Sequence, residues 1–147
     1  SGAMKNLMDH LAYRWLSHRP HGAMFTKVGA VICSSAGVPT GSVTKSLARQ
    51  LRWWGVPKVY PFGLACQTMP GEKPRPEKQV QIDRKAIKIA KAVRRRTEHP
   101  RTGLREKLMF SMFAGMQSKD KTAWNPVDRD WWVSQGWTKK TRPWMNR

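Results

Sequence analysis

The stretch Lys27-Val28-Gly29-Ala30-Val31-Ile32-Cys33, followed at once by Ser34-Ser35-Ala36-Gly37-Val38-Pro39-Thr40-Gly41, decides the fold class. Its apolar run does not alternate with polar residues, the pattern of a strand buried on both faces of a parallel sheet. Small residues then end the strand, and Val43, Leu47, Leu51 and Trp54 recur at helical spacing. Thr40 and Ser42 are both N-cap candidates, and Gly55 stands where a helix end favours a left-handed residue. Val56 to Ala65 reads as a second strand. Two strands joined by one helix over so short a stretch form a right-handed crossover, so the sheet is parallel and the class α/β.

Upstream, Met4, Leu7, Met8, Leu11, Trp15 and Leu16 line one face of a helix that Ser17 to Gly22, with Pro20, brings to a stop. Downstream, Gln67 to Lys78 is rich in Pro, Lys and Glu and reads as a loop or linker. Ile82, Ala86, Ile89, Ala90 and Val93 mark a third helix, with Asp83 near its start and Lys85, Lys88, Lys91 and Arg94 to Arg96 crowding its other face. Pro100 ends it. Leu104, Leu108, Phe110, Met112, Phe113 and Met116 predict a half-buried helix. Asn125-Pro126 with Asp128 opens a short helix carrying Trp131 and Trp132, which Gly136 closes. Two strands are fewer than a parallel α/β domain uses to bury both sheet faces, so more sheet is expected before Ser1.

A chain of 147 residues has the size of one domain. Its net charge of +19 implies attraction to an anionic partner: nucleic acid, a membrane surface, an acidic protein or a phosphorylated cofactor. The longest apolar run, Val28 to Cys33, is far short of a membrane span, and no signal-peptide pattern opens the sequence, so a cytoplasmic protein is expected. Cys33 and Cys66 end neighbouring strands and are expected as buried, free thiols; their number and spacing suit neither a disulfide framework nor an iron-sulfur cluster. His18-Arg19-Pro20-His21 has no acidic or cysteine neighbour in sequence, and with His10 and His99 it suggests no metal site. Ser34 to Gly41 matches neither the Walker phosphate loop nor Gly-x-Gly-x-x-Gly.

Ser1-Gly2-Ala3-Met4-Lys5-Asn6-Leu7-Met8-Asp9-His10-Leu11, the strand and loop Val28 to Gly37, and Trp53-Trp54-Gly55-Val56-Pro57-Lys58-Val59-Tyr60 resemble the second half of flavodoxin-like NAD(P)H-dependent FMN reductases. The aromatic ending Trp131-Trp132 to Gly136-Trp137 is similar to that of one subgroup. Ser1 to Met4 also read as the remainder of an expression tag, although they join Lys5-Asn6 smoothly. The resemblance implies a flavodoxin-like three-layer parallel sheet, of which residues 1–66 supply the later strands and helices. Residues 67–147 would add a basic helical and aromatic extension completing the same domain. It further implies an FMN-dependent NAD(P)H oxidoreductase whose N-terminal phosphate-binding loop has no counterpart in this sequence. The acceptor would be a small molecule or a protein, and homo-oligomers are common in the family.

On that resemblance Ser34, Ser35, Ala36 and Gly37 are the cofactor-binding residues, contacting the isoalloxazine of FMN. Small side chains let a backbone approach a ring, and two hydroxyls supply hydrogen bonds. Gly37 is expected to be the most sensitive of the four, through ring space and backbone angles alike. No acid, base or nucleophile is required, because the flavin carries the redox chemistry. The competing reading is a basic binding module without redox activity. In it the third helix and Trp124, Trp131, Trp132, Trp137 and Trp144 form a surface for nucleic acid, a membrane or an acidic partner. Because the basic and aromatic residues occupy largely separate segments, the reading preferred for them is a solvated helix face beside a covering aromatic cluster.

Overall fold

The computed structural model describes residues 2–68, 71–119 and 125–145. Ser1, Met69 and Pro70 of the expected loop, and Trp124 lie outside the described residues. Among the described residues the order is α1 (Gly2–His10), β1 (Val28–Ser35), α2 (Gly41–Trp53), β2 (Lys58–Ala65), α3 (Pro76–Glu98), α4 (Leu104–Ser118) and α5 (Pro126–Ser134). The fold is mixed α/β. β1 and β2 pair in parallel from Val28 opposite Lys58 to Ser35 opposite Ala65. Two compact units result: one holds Val28–Arg52 and Lys58–Pro100, the other the chain before β1, Trp53–Pro57 and the chain from Arg101 onward.

In the sheet unit the register sorts side chains by face, since alternate residues of a strand point to opposite sides. Val31, Val59 and Gly63 share one face, where Val31 and Val59 are buried. α2 closes on this face: a Cβ built on Gly63 would lie 2.9 Å from Thr40 Cβ and 3.1 Å from Thr44 Cγ2, so only glycine permits the approach. Ile32, Phe62 and Leu64 share the other face, towards α3, which packs on β1. β1 is therefore not buried on both faces as its composition predicts. Ile32 remains 71% exposed because α3 covers its face only in part.

The second unit is built on tryptophan. Leu16, Phe25, Phe110, Phe113, Ala114, Trp132 and Trp137 form its core. Phe110 stands at the centre, with ring centroids 4.9 Å from Trp132, 5.5 Å from Trp137 and 5.4 Å from Phe25. These tilted and edge-to-face arrangements suit aromatic quadrupoles. The indole N–H groups of Trp132 and Trp131 donate to the carbonyls of His18 (2.6 Å) and Pro20 (3.1 Å), satisfying polar atoms that packing would otherwise strand. Gly55, at φ +94°, turns the chain after α2 where a Cβ would press on Leu16 at 3.2 Å.

The helix expected from Met4 to Leu16 stops at His10 and gives way to a 3-10 turn at Ala12–Arg14, since Leu16 is instead drawn inward by its N–H bond to the Trp53 carbonyl (2.8 Å). α3 begins at Pro76, inside the segment read as loop, because proline at the first position and Glu77 in the first turn start a helix well. α5 follows its sequence signals: the Asn125 side chain accepts from the Val127 N–H at 3.1 Å. His18-Arg19 does have an acidic partner. Buried Asp128 of α5 bonds His18 Nδ1 at 2.8 Å and pairs with Arg19 Nε at 3.3 Å, a meeting across the chain that spacing cannot reveal.

Truncating Trp132, which is fully buried, is expected to cost about 3–5 kcal/mol of stability, whereas Leu108→Ala, at an exposed site, stays within about 0.5 kcal/mol of wild type. Chemical denaturation of the two variants checks this. Equal losses would show that the aromatic cluster is not the core of its unit.

Candidate functional site

β1 runs two residues further than its apolar stretch, so Ser34 and Ser35 belong to the strand and only Ala36 and Gly37 begin the turn into α2. The ladder pattern continues past both strand ends. Cys66 N–H donates to the Ser35 carbonyl at 2.8 Å, and Gln67 N–H donates to the Ala36 carbonyl at 2.6 Å. Gln67 holds φ +57°, the sole positive value among described non-glycine residues. Such a backbone is uncommon outside glycine and costs free energy that neighbouring structure must hold in place.

The two serines cannot serve one ligand together. Ser34 is exposed on the α3 side of the sheet, whereas Ser35 lies half-buried on the α2 side and donates its hydroxyl to the Val38 carbonyl. The expected pair of hydroxyls thus separates into one that is open and one that shapes the turn. Ala36, Gly37 and Val38 are exposed. Gly37 lies outside the left-handed region, and a Cβ built there meets nothing within 4 Å. Backbone angle therefore does not require glycine at this position. Open space above it remains the feature relevant to a flat ligand.

Thr40 and Thr44 hold the start of α2 against the sheet. The Thr44 hydroxyl donates to the carbonyls of Thr40 and Gly41, both at 3.1 Å, and Thr44 itself is buried beside Gly63. Gly63 is thus a positioning residue for the loop, and sequence reading missed it; a glycine inside a strand was the available signal. Cys33 and Cys66 are free thiols, half-buried rather than fully buried as expected, because both stand near the open end of the sheet. Among the described residues no three His, Cys, Asp or Glu side chains gather as a metal site, and no helix is long and apolar enough to cross a membrane.

A second feature lies on the other sheet face. Pro61, Phe62 and Gly63 of β2 and Glu77, Val80, Gln81, Arg84, Lys85 and Lys88 of α3 line a groove of about 520 Å³. The Lys85 ammonium stands 6.0 Å from the Phe62 ring centroid. The basic helix was legible in the sequence, but its partner Phe62 was not, since pairing a strand residue with a helix residue needs the register. The described tryptophans form the covering aromatic cluster and not the competing binding surface: Trp132 and Trp137 are buried, and Trp131 and Trp144 pack against their core.

No family model, curated protein or solved structure matches this chain.

A valine at Gly63 is expected to destabilise the protein by about 1–3 kcal/mol through overpacking against Thr40 and Thr44. Thermal or denaturant unfolding measures it. A variant as stable as wild type would show that α2 does not depend on this close approach.

Proposed function

We propose that this chain supplies the ring-contacting side of an FMN-dependent NAD(P)H oxidoreductase, with Ser34, Ala36 and Gly37 facing the isoalloxazine and Ser35 shaping their turn. The observation that carries this reading is an exposed run of small residues at the carboxyl end of a parallel strand, directly before a helix. Open α/β sheets hold their ligands at that edge. The resemblance of Ser1 to Tyr60 to flavodoxin-like reductases supports the choice of ligand, and the unobstructed space at Gly37 fits a planar ring.

When bound, FMN would accept a hydride from a reduced nicotinamide and deliver electrons to a small-molecule or protein acceptor. The protein's part is orientation. Ser34 offers an open hydroxyl to a polar edge of the ring, while Ala36 and Gly37 allow the ring to approach the backbone. The carbonyl of Ala36 is engaged by Gln67, which holds the loop in one shape before a ligand arrives and so lowers the ordering cost of binding. Because phosphate contacts would come from outside this loop, the chain is expected to bind FMN more weakly than about 1 μM, or about -8 kcal/mol.

Gly37→Val is a clean probe, since its side chain meets nothing in the free protein and its backbone angle suits any residue. Flavin fluorescence titration is expected to show at least about tenfold weaker FMN binding, ~1.4 kcal/mol, with unchanged circular dichroism. Unchanged flavin affinity in the folded variant would remove the loop from the site.

A further inference from the structure

α3 is unusual for a helix of 23 residues in burying none of its side chains. It carries eight Lys and Arg residues against three Asp and Glu, and Arg84, Lys88, Lys91 and Arg95 recur at alternating spacings of four and three. That spacing places them in one row along the helix. All four are exposed, and the row spans about 16 Å at 1.5 Å per residue. Two of the three acidic residues of α3 are engaged off this row, Asp83 accepting from Gln79 at 2.8 Å and Glu98 pairing with Arg94 at 2.8 Å, and the third, Glu77, lines the groove ahead of the row's first residue.

The row begins at the groove, where Arg84, Lys85 and Lys88 face Phe62. Phe62 is half-buried and shares its sheet face with the exposed Ile32, so the strand supplies a fixed aromatic and apolar floor while α3 supplies a cationic wall. The groove, at about 520 Å³, has room for one nucleotide. A ring for a base and cations for successive phosphates are the two elements by which proteins hold single strands without reading sequence. A membrane surface offers no planar group for Phe62, and an acidic peptide does not need one.

We propose that the β2–α3 groove and the row Arg84, Lys88, Lys91 and Arg95 form a binding site for single-stranded nucleic acid. One base stacks at Phe62, and the backbone runs along α3 with its phosphates on the row. Binding is electrostatic in most of its strength and insensitive to sequence. It does not rest on the flavin reading, whose loop is a different part of the sheet unit.

Fluorescence anisotropy of the whole chain with a labelled, mixed-sequence single-stranded DNA of fifteen or so nucleotides tests this, read at several salt concentrations. The expected slope of log affinity against log salt is about -0.7 for each phosphate neutralised, thus near -2.8 if all four cations of the row engage. The triple variant Arg84→Glu, Lys88→Glu and Lys91→Glu changes only exposed side chains. It should bind at least about tenfold more weakly with a shallower slope, while its circular dichroism and flavin titration stay as in wild type. Phe62→Leu should weaken binding about fivefold or more, within the range for loss of one base stack, and leave the slope unchanged. Oligonucleotide binding unaltered in the triple variant overturns the proposal. So does tighter binding to a duplex of the same length, or to phosphatidylserine-containing vesicles, than to the single strand.

Discussion

The backbone bonds that carry the ladder beyond the last residues of the two strands are the constraint on which the rest of the sheet unit depends. Two parallel strands alone are a marginal structure in water. The Cys66 to Ser35 and Gln67 to Ala36 bonds lengthen the pair at its carboxyl end, and Gln67 takes a left-handed backbone to make the second of them. That arrangement brings the small residues after β1 to a defined position at the sheet edge. α2 can then start close above the sheet because Gly63 leaves no side chain in the way of Thr40 and Thr44.

Stability in the other unit comes from a different source. Among its described residues this unit has no strand, and large aromatic side chains make up the apolar area that a small core otherwise lacks. Trp132 and Trp137 are buried, and the indole donors of Trp131 and Trp132 are spent on carbonyls of the His18–Pro20 segment. Buried Asp128 fixes the same segment through His18 and Arg19. The tryptophans of this cluster therefore serve the core of their own unit, whereas Arg84, Lys88, Lys91 and Arg95 of α3 are exposed.

The features legible in the sequence were those set by local chemistry. The parallel strand-helix-strand unit followed from an unalternating apolar run, small residues and helical spacing, and α5 from Asn125, Pro126 and Gly136. Local reading failed where distant residues decide. Ser34 and Ser35 look equivalent in sequence, yet the strand extends through both and sends them to opposite faces. Burial of Ile32 was inferred from composition, but burial needs a covering element, and α3 leaves that residue open. The Asp128 partner of His18 and the pairing of Phe62 with Lys85 join segments far apart in the chain, so no periodicity could announce them.

In the reading proposed above, the edge after β1, and not the basic groove, meets a flavin ring. Backbone amide chemical-shift mapping by NMR at increasing FMN concentration tests it most directly, because weak binding is readable and FMN's own phosphate offers the groove a fair chance to compete. The largest shifts are expected on Ser34, Ala36, Gly37 and Val38, with Gln67 moving through its bond to Ala36. Shifts concentrated at Phe62, Arg84 and Lys88, or none at the edge at saturating FMN, would contradict it.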